Sequence, residues 1–113
     1  MRRSGAERSL KSSAPVFAAL GDETRLHVVT RLCQEGPLSI TRLAEGSRVS
    51  RQAVTKHLRV LEGAGLVKST RDGRENVWEF EPGGLEEARR LLEGISREWD
   101  DTLERLRVFV ESD

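Results

Sequence analysis

The chain has 113 residues, of which 36% are apolar and 34% are charged, with 19 Lys/Arg balanced by 19 Asp/Glu. This length predicts one domain with a modest core. The absence of a long apolar run, or of a signal-peptide core after Met1, excludes a membrane span and makes the cytoplasm the expected compartment. The single cysteine, Cys33, excludes an internal disulfide, and zero net charge argues against a general polyanion binder.

The charges are unevenly distributed along the chain. Residues 42–59 contain five Lys/Arg and one acid, whereas residues 81–113 contain five arginines and ten acids. A basic middle segment favours contact with nucleic acid at one surface, and the acidic end favours a different role.

The first 13 residues are polar, with four Lys/Arg and one glutamate, and are predicted to be a flexible tail. A DNA-contacting arm is the alternative for this tail. The domain is then expected to span residues 14–113 and to begin with a short helix over 14–20, in which Pro15 lies near the start.

A second helix is predicted between a capping Asp22 and the Gly36-Pro37 pair. Its apolar residues recur at helical spacing, which predicts a buried stripe. The residues assigned to this stripe are Leu26, Val29, Leu32 and Cys33.

Residues 39–64 carry two helix starts separated by a short turn that contains Gly46. Ser39 and Ser50 are predicted to cap the third and fourth helices. An apolar residue lies directly before each cap, and a second apolar residue follows five positions after the first. The spacing is that of a hydrophobic staple, and a pair of stapled helices joined this closely predicts a helix-turn-helix. The two staple pairs are Leu38 with Leu43 and Val49 with Val54.

Residues 66–80 predict a β-hairpin, called the wing below. Two strands, 66–71 and 74–80, flank Asp72-Gly73, a strong signal for a two-residue turn. This register would place Arg71 directly opposite Arg74, where like charges destabilise a hairpin unless a phosphate lies beside them. The wing tip is therefore predicted to contact the DNA backbone, with a solvated tip as the alternative.

A long helix over 85–110 carries an apolar seam that steps by three and four residues. Because a monomer would leave much of this seam in water, we expect a homodimer formed through the terminal helices. The predicted interface residues are Val16, Phe17, Leu85, Leu92, Ile95, Trp99, Leu106 and Phe109. The predicted fold class is mainly α-helical, a winged helix-turn-helix with about five helices and a two-stranded antiparallel wing.

The fourth helix has two chemically different faces. Val54, Leu58 and Leu61 form its apolar stripe, and the opposite face carries side chains that suit base edges in a DNA groove. Its N-terminus suits phosphate binding, whereas His57 at the stripe margin either donates to a phosphate or bonds within the protein. The predicted DNA-binding residues are Ser50, Arg51, Gln52, Thr55, Lys56, His57 and Arg59, together with Arg71 and Arg74 of the wing.

Three stretches carry a family resemblance: LGDETRLHVVTRL, SITRLAEGSRVSRQAVTKHLRVLEGAGLV and GRENVWEFEP. They resemble the ArsR family of bacterial winged-helix repressors over about residues 16–80, and more loosely over the last helix. The resemblance implies a homodimer with one recognition helix in each major groove of a palindromic operator. It also implies a role in transcription regulation as a repressor that binds double-stranded DNA.

The sequence departs from the metal-sensing members of that family. SITRLAEG lacks their cysteine pair, and the last helix has no histidine. Cys33 and His27 lie six residues apart on one helix and point to different sides, so four converging ligands are not expected. Cys33 is predicted to be a small core residue. We therefore expect no metal site, no cofactor and membership of the metal-independent branch.

Other functions are disfavoured by the residues present. Two histidines, one cysteine and no phosphate-binding glycine loop give no support to an enzyme. A winged helix used only for protein–protein contact would be expected to carry an apolar or acidic fourth-helix face. A sensor with an organic ligand at the dimer interface stays an alternative, with Phe17, Leu92, Trp99 and Phe109 as pocket residues. Packed dimer core is the favoured interpretation of those four.

Overall fold

Five helices and a three-stranded antiparallel sheet make up residues 5–112, the part of the chain described by this computed structural model. Side chains are described from Leu10 onward. The predicted winged helix-turn-helix is confirmed, with one strand more than expected. The elements are α1 (Gly5–Leu20), α2 (Glu23–Glu35), β1 (Leu38–Ser39), α3 (Ile40–Glu45), α4 (Arg51–Gly63), β2 (Val67–Asp72), β3 (Glu75–Phe80) and α5 (Pro82–Glu111).

Side-chain caps begin three of the helices, as the sequence predicts. Each capping oxygen accepts a hydrogen bond from a backbone N–H in the first turn, which would otherwise lack a partner. The bonds run from Arg25 N–H to Asp22 (3.0 Å), from Arg42 N–H to Ser39 (3.2 Å) and from Ala53 N–H to Ser50 (3.1 Å).

The core lies where the inner faces of α1–α4 meet the sheet and the start of α5. The inner stripe of α4 is at its centre, since Val54, Leu58 and Leu61 have no exposed surface. Burial of such side chains is worth about 1.5–3 kcal/mol each. The other core residues are Val16, Ala19, Val28, Leu32, Leu38, Leu43, Leu66, Val67, Trp78 and Ala88.

The first helix is longer than predicted. It begins at Gly5 and contains Pro15 in its interior, so the flexible tail predicted over residues 1–13 is wrong from Gly5 onward. Residues 1–4 lie outside the described part of the chain. Packing explains the difference, because Ser13 is buried and α1 lies against α5; tertiary contacts then outweigh weak local helix propensity.

The buried face of α2 differs from the predicted stripe. Val28 and Leu32 are buried, Val29 is half-buried, and both Leu26 and Cys33 are exposed. The predicted core role of Cys33 is therefore wrong. The apolar residues of α2 form two overlapping stripes at helical spacing, and only the one containing Val28 and Leu32 faces the core.

The sheet joins the wing to the helix-turn-helix. Its strand order is β1-β3-β2, and the unpredicted β1 pairs Leu38 with Trp78 and Ser39 with Val77. Because Ser39 also caps α3, the same residue ends the strand and starts the first helix of the helix-turn-helix. This fixes the wing relative to α3.

The turn of the wing lies one residue later than predicted. Asp72 pairs with Glu75 and Arg71 with Asn76, so Gly73 and Arg74 form the loop and Arg71 does not oppose Arg74. Gly73 has a φ of 64° and is the one positive-φ residue of the loop, as in a type II′ turn. An Asp72-Gly73 turn of type I′ would also have required positive φ at Asp72. Both registers place the same strand residues on the core face, so the apolar alternation does not distinguish them.

The last helix starts at Pro82, earlier than the predicted residue 85, since proline suits the first turn of a helix. The Glu81 N–H bonds to the Leu66 carbonyl at 2.8 Å, which brings this start against the turn after α4. There the backbones of Gly84 and Gly65 cross so closely that a Cβ on Gly84 would overlap the Gly65 carbonyl. None of the helices within residues 5–112 combines the length and apolarity needed to cross a bilayer.

The crossing predicts that Gly84→Ala destabilises the fold. Overlap with backbone atoms costs about 1–3 kcal/mol in unfolding free energy, and urea denaturation measures it. Gly94→Ala is the matched control, because a Cβ at Gly94 meets no atom within 4 Å. The control should gain up to about 1 kcal/mol from higher helix propensity. Equal stability of the two variants would contradict the close crossing.

Candidate nucleic-acid interface

The recognition helix α4 is oriented by its buried stripe and its cap. Ser50 Oγ accepts the Ala53 N–H, which leaves its hydroxyl proton available to donate. The buried stripe turns the opposite face outward, where Gln52, Lys56 and Arg59 are exposed. These three side chains lie at helical spacing on one surface, as the sequence predicts.

Thr55 and Ser50 lie beside that surface in different ways. Thr55 is half-buried, and its hydroxyl donates to the Arg51 carbonyl at 3.0 Å. Its methyl group is then the part suited to apolar contact with a thymine methyl. Ser50 and Arg51 are exposed at the helix N-terminus, where unpaired backbone N–H groups favour an anion.

The cations of α4 are largely free of neighbouring acids. Within the side chains described, no carboxylate lies within ion-pairing distance of Arg51 or Lys56, and Arg59 has only a 3.5 Å contact with Glu62 while 68% exposed. The arginines of α5 differ. Arg89 pairs with Glu86 and Glu93, and Arg107 with Glu104 and Glu111.

These pairings also change the titration of the α5 groups. The hydrogen bond from Arg89 holds the pKa of Glu86 below its usual value, and that from Arg107 does the same for Glu104. Since Arg89, Arg90 and Arg107 are paired with glutamates of their own helix, these three cations are less available to an outside anion than Arg51 and Lys56 of α4.

His57 is engaged within the protein. Its side chain is 23% exposed, and its Nδ1 lies 3.3 Å from Arg25 Nη1 and 3.8 Å from Asp22 Oδ2. Of the two roles predicted for His57, these contacts support the internal hydrogen bond.

The wing tip is exposed, and its two arginines lie beside the exposed acids Asp72 and Glu75. Arg71 and Arg74 are both exposed, and Arg71 Nε donates to the Gly73 carbonyl at 3.1 Å, which folds that side chain over the turn. In the observed register Arg71 does not oppose Arg74, so the predicted like-charge repulsion across the strands is absent. The two cations nonetheless lie together at one end of the hairpin, as predicted.

The predicted dimer residues fall into two groups. Val16 is 5% exposed and belongs to the core of its own chain, so it is not available to a partner, while Phe17 and Leu85 are half-buried. The remaining five, all on α5, are exposed: Leu92, Ile95, Trp99, Leu106 and Phe109.

Leu103 and Val110 are also exposed and belong to the same apolar row on α5, although neither was among the predicted interface residues. With about 100° per residue, the spacing of three and four positions places this row on one face, and Phe109 lies on its edge. We call this row the α5 stripe: Leu92, Ile95, Trp99, Leu103, Leu106 and Val110.

Metal-ligating residues do not converge in the part of the chain described. No three His, Cys, Asp or Glu side chains there form a group that would hold an ion. Cys33 and His27 are both exposed on α2.

Two arginines near α4 were not assigned a role from the sequence, one exposed beside the helix and one behind it. Arg48 is exposed in the turn between α3 and α4, beside an open groove of about 400 Å³ that also involves Ser47 and His27. Arg48 was counted among the cations of residues 42–59, but it was not among the predicted DNA-binding residues. Arg25 on α2 contacts His57, and nothing in the sequence pattern links residues 32 positions apart.

Comparison with known proteins agrees with this geometry. A family model described as a helix-turn-helix domain matches residues 20–70. The HTH-type transcriptional regulator Rv2034 of Mycobacterium tuberculosis is 36% identical over 103 residues, which cover 91% of this chain and 92% of the relative.

Solved structures share the fold over almost the whole chain. The ArsR-like transcriptional regulator from Rhodococcus sp. RHA1 has a TM-score of 0.74 and 40% identity, covering 97% of this chain and 100% of that one. The homodimeric winged helix-turn-helix domain Mb0332 from Mycobacterium bovis has the same fold, with a TM-score of 0.63, 24% identity and coverage of 91% and 93%. The chain therefore belongs to the ArsR-like helix-turn-helix transcriptional regulators, which are DNA-binding proteins and not enzymes.

Proposed function

We propose that the protein is a homodimeric repressor that binds a palindromic operator and does so without a metal. The observation that carries the proposal is the exposed α4 face, whose Arg51 and Lys56 lack acidic neighbours among the described side chains. Phosphates of duplex DNA supply the missing countercharge. A regulator of this type acts on chromosomal DNA, which supports the cytoplasm as its location.

In the proposed complex α4 enters the major groove. Gln52, Lys56 and Arg59 read base edges, since Gln pairs with adenine and Lys or Arg with guanine. Ser50 and Arg51 bind phosphate at the helix start, and Arg71 and Arg74 bind the backbone beside the neighbouring groove. His57 does not bind phosphate in this complex, because its side chain is engaged within the protein.

The α5 stripe supports the dimer. Its six side chains would lose contact with water by pairing with the same stripe of a second copy, and the 3–4 spacing suits two helices packed side by side. The homodimeric state of the Mycobacterium bovis domain with this fold also supports it. Two-fold symmetry then requires a palindromic site, with half-site centres about 10 base pairs apart or a multiple of that.

Repression is supported by the resemblance of the helix-turn-helix to the ArsR repressors, and metal independence by the scattered positions of Cys33 and His27. An effector-responsive sensor is the second candidate, favoured only by the apolar surface of α5. A module restricted to protein–protein contact is disfavoured by the basic face of α4.

Removing one α4 cation should weaken DNA binding. We expect Arg51→Ala, which removes a phosphate contact, to lower the affinity for operator duplex and reduce the slope of log K against log salt by about one, and Lys56→Ala, which removes a base contact, to lower the affinity for operator. Fluorescence anisotropy over a salt series measures both. Arg90→Ala is the control, because it removes the same charge from α5, where Arg90 already pairs with Glu86. An equal effect of Arg90→Ala would mean that only net charge matters.

A charge in the α5 stripe should separate the dimer. Leu106→Glu would bury an unpaired carboxylate, so we expect a monomer at micromolar concentration by analytical ultracentrifugation and loss of operator binding. Val108→Glu is the matched control, since Val108 is about as exposed (52% against 56%) but lies on the other side of α5. Wild type sedimenting as a monomer would refute the dimer, and dissociation by Val108→Glu alone would refute this interface.

Metals should leave operator binding unchanged. Footprinting upstream of the protein's own gene, with and without Zn²⁺ or Cd²⁺, is expected to give the same protected palindrome, because no three potential ligands converge among the described side chains. Release of DNA by zinc, reversed by chelator and absent in Cys33→Ser, would instead identify a metal sensor.

A further inference from the structure

A polar cluster joins three helices on the side of α4 away from the proposed base contacts. Arg25, in the first turn of α2, directs Nε to the Ala19 carbonyl at 2.5 Å and Nη2 to the Ala18 carbonyl at 3.5 Å. These carbonyls lie in the last turn of α1, where the helix dipole favours a cation, and the Ala18 carbonyl also accepts the Gly21 N–H at 3.2 Å. The third arm, Nη1, points to His57 of α4.

The chemistry of the Arg25–His57 contact defines the state of the imidazole. A guanidinium has only N–H donors, so a hydrogen bond across this 3.3 Å contact requires His57 Nδ1 to accept and the ring proton to lie on Nε2. Asp22 is the nearest acid, 3.8 Å from Nδ1, and it accepts the Arg25 backbone N–H at 3.0 Å. That bond is the main reason why the pKa of Asp22 is lowered.

This hydrogen bond restrains α4 in a way that its apolar stripe cannot. Hydrophobic contact is non-directional, so burial of Val54, Leu58 and Leu61 limits the rotation of α4 about its axis but does not by itself set a single angle. A rotation of about 20° moves a side chain roughly 5–6 Å from the axis by about 2 Å. That displacement is enough to break the hydrogen bonds by which Gln52 or Arg59 would read a base.

We infer that Arg25 is a positioning residue for the recognition helix: it fixes His57 as an acceptor and so sets the rotation of α4 relative to α1. Because α1 packs against α5, the same contact links the reading surface to the helix proposed for dimerisation. The inference rests on the proposed DNA-binding function, but it concerns residues that touch no DNA.

A double-mutant cycle tests this role. Affinities of wild type, Arg25→Leu, His57→Leu and the double variant are measured for operator and for random duplex of equal length, with unfolding free energies alongside. We expect each single variant to lower the operator-to-random affinity ratio about tenfold, and the double variant to lower it no further. His57→Gln, whose amide oxygen can accept from Arg25, should recover part of the loss. Arg90→Leu controls for the lost charge.

A direct spectroscopic measurement keeps the inference testable if a variant folds poorly. Long-range ¹H–¹⁵N NMR of the wild-type imidazole should show the Nε2–H tautomer, and Arg25→Leu should shift it toward a mixture. An Nδ1–H tautomer in wild type, additive effects in the cycle, or equal losses for operator and random duplex would each overturn the inference. If wild type does not discriminate operator from random duplex, the proposed function fails instead, and the tautomer still reports on the contact.

Discussion

The burial of one apolar stripe, Val54, Leu58 and Leu61, is the constraint on which the rest of the structure depends. These residues have no exposed surface, so the rotation of α4 is limited and its opposite face must meet solvent. The cap at Ser50 fixes where the helix begins. Together they determine which side chains are available to DNA.

The neighbouring elements refine that arrangement through backbone and polar contacts. The β1–β3 pairing anchors the wing next to α3, and the Gly65–Gly84 crossing brings the start of α5 against the end of α4. Arg25 then adds a directional contact between α4 and α1. Hydrophobic burial therefore supplies most of the stability, while a few short-range contacts define the geometry that reading a base sequence needs.

The parts of the fold that were predictable from sequence are those in which local signals agree. In α4, the cap, the staple and the apolar period all indicate the same helix and the same buried face. In α2 they do not, because Leu26 and Cys33, seven positions apart, and Val28 and Leu32, four apart, both fit helical spacing, and only tertiary packing selects between the two stripes. The predicted register of the wing was wrong for a similar reason. Asp72-Gly73 and Gly73-Arg74 both form acceptable turns, and both registers place the same strand residues on the core face. The Arg25–His57 contact has no local signal at all.

Zero net charge argues against a general polyanion binder, but the structure shows that the charges are not evenly available. Arg89, Arg90 and Arg107 of α5 pair with glutamates three or four positions away, which screens their charge from other partners. Arg51 and Lys56 of α4 keep theirs. A phosphate backbone responds to the local potential within about one Debye length, roughly 8–10 Å, and not to the sum over the chain. On the proposed arrangement the acid excess of residues 81–113 also repels DNA from α5, so that charge distribution, and not net charge, orients the approaching duplex toward α4.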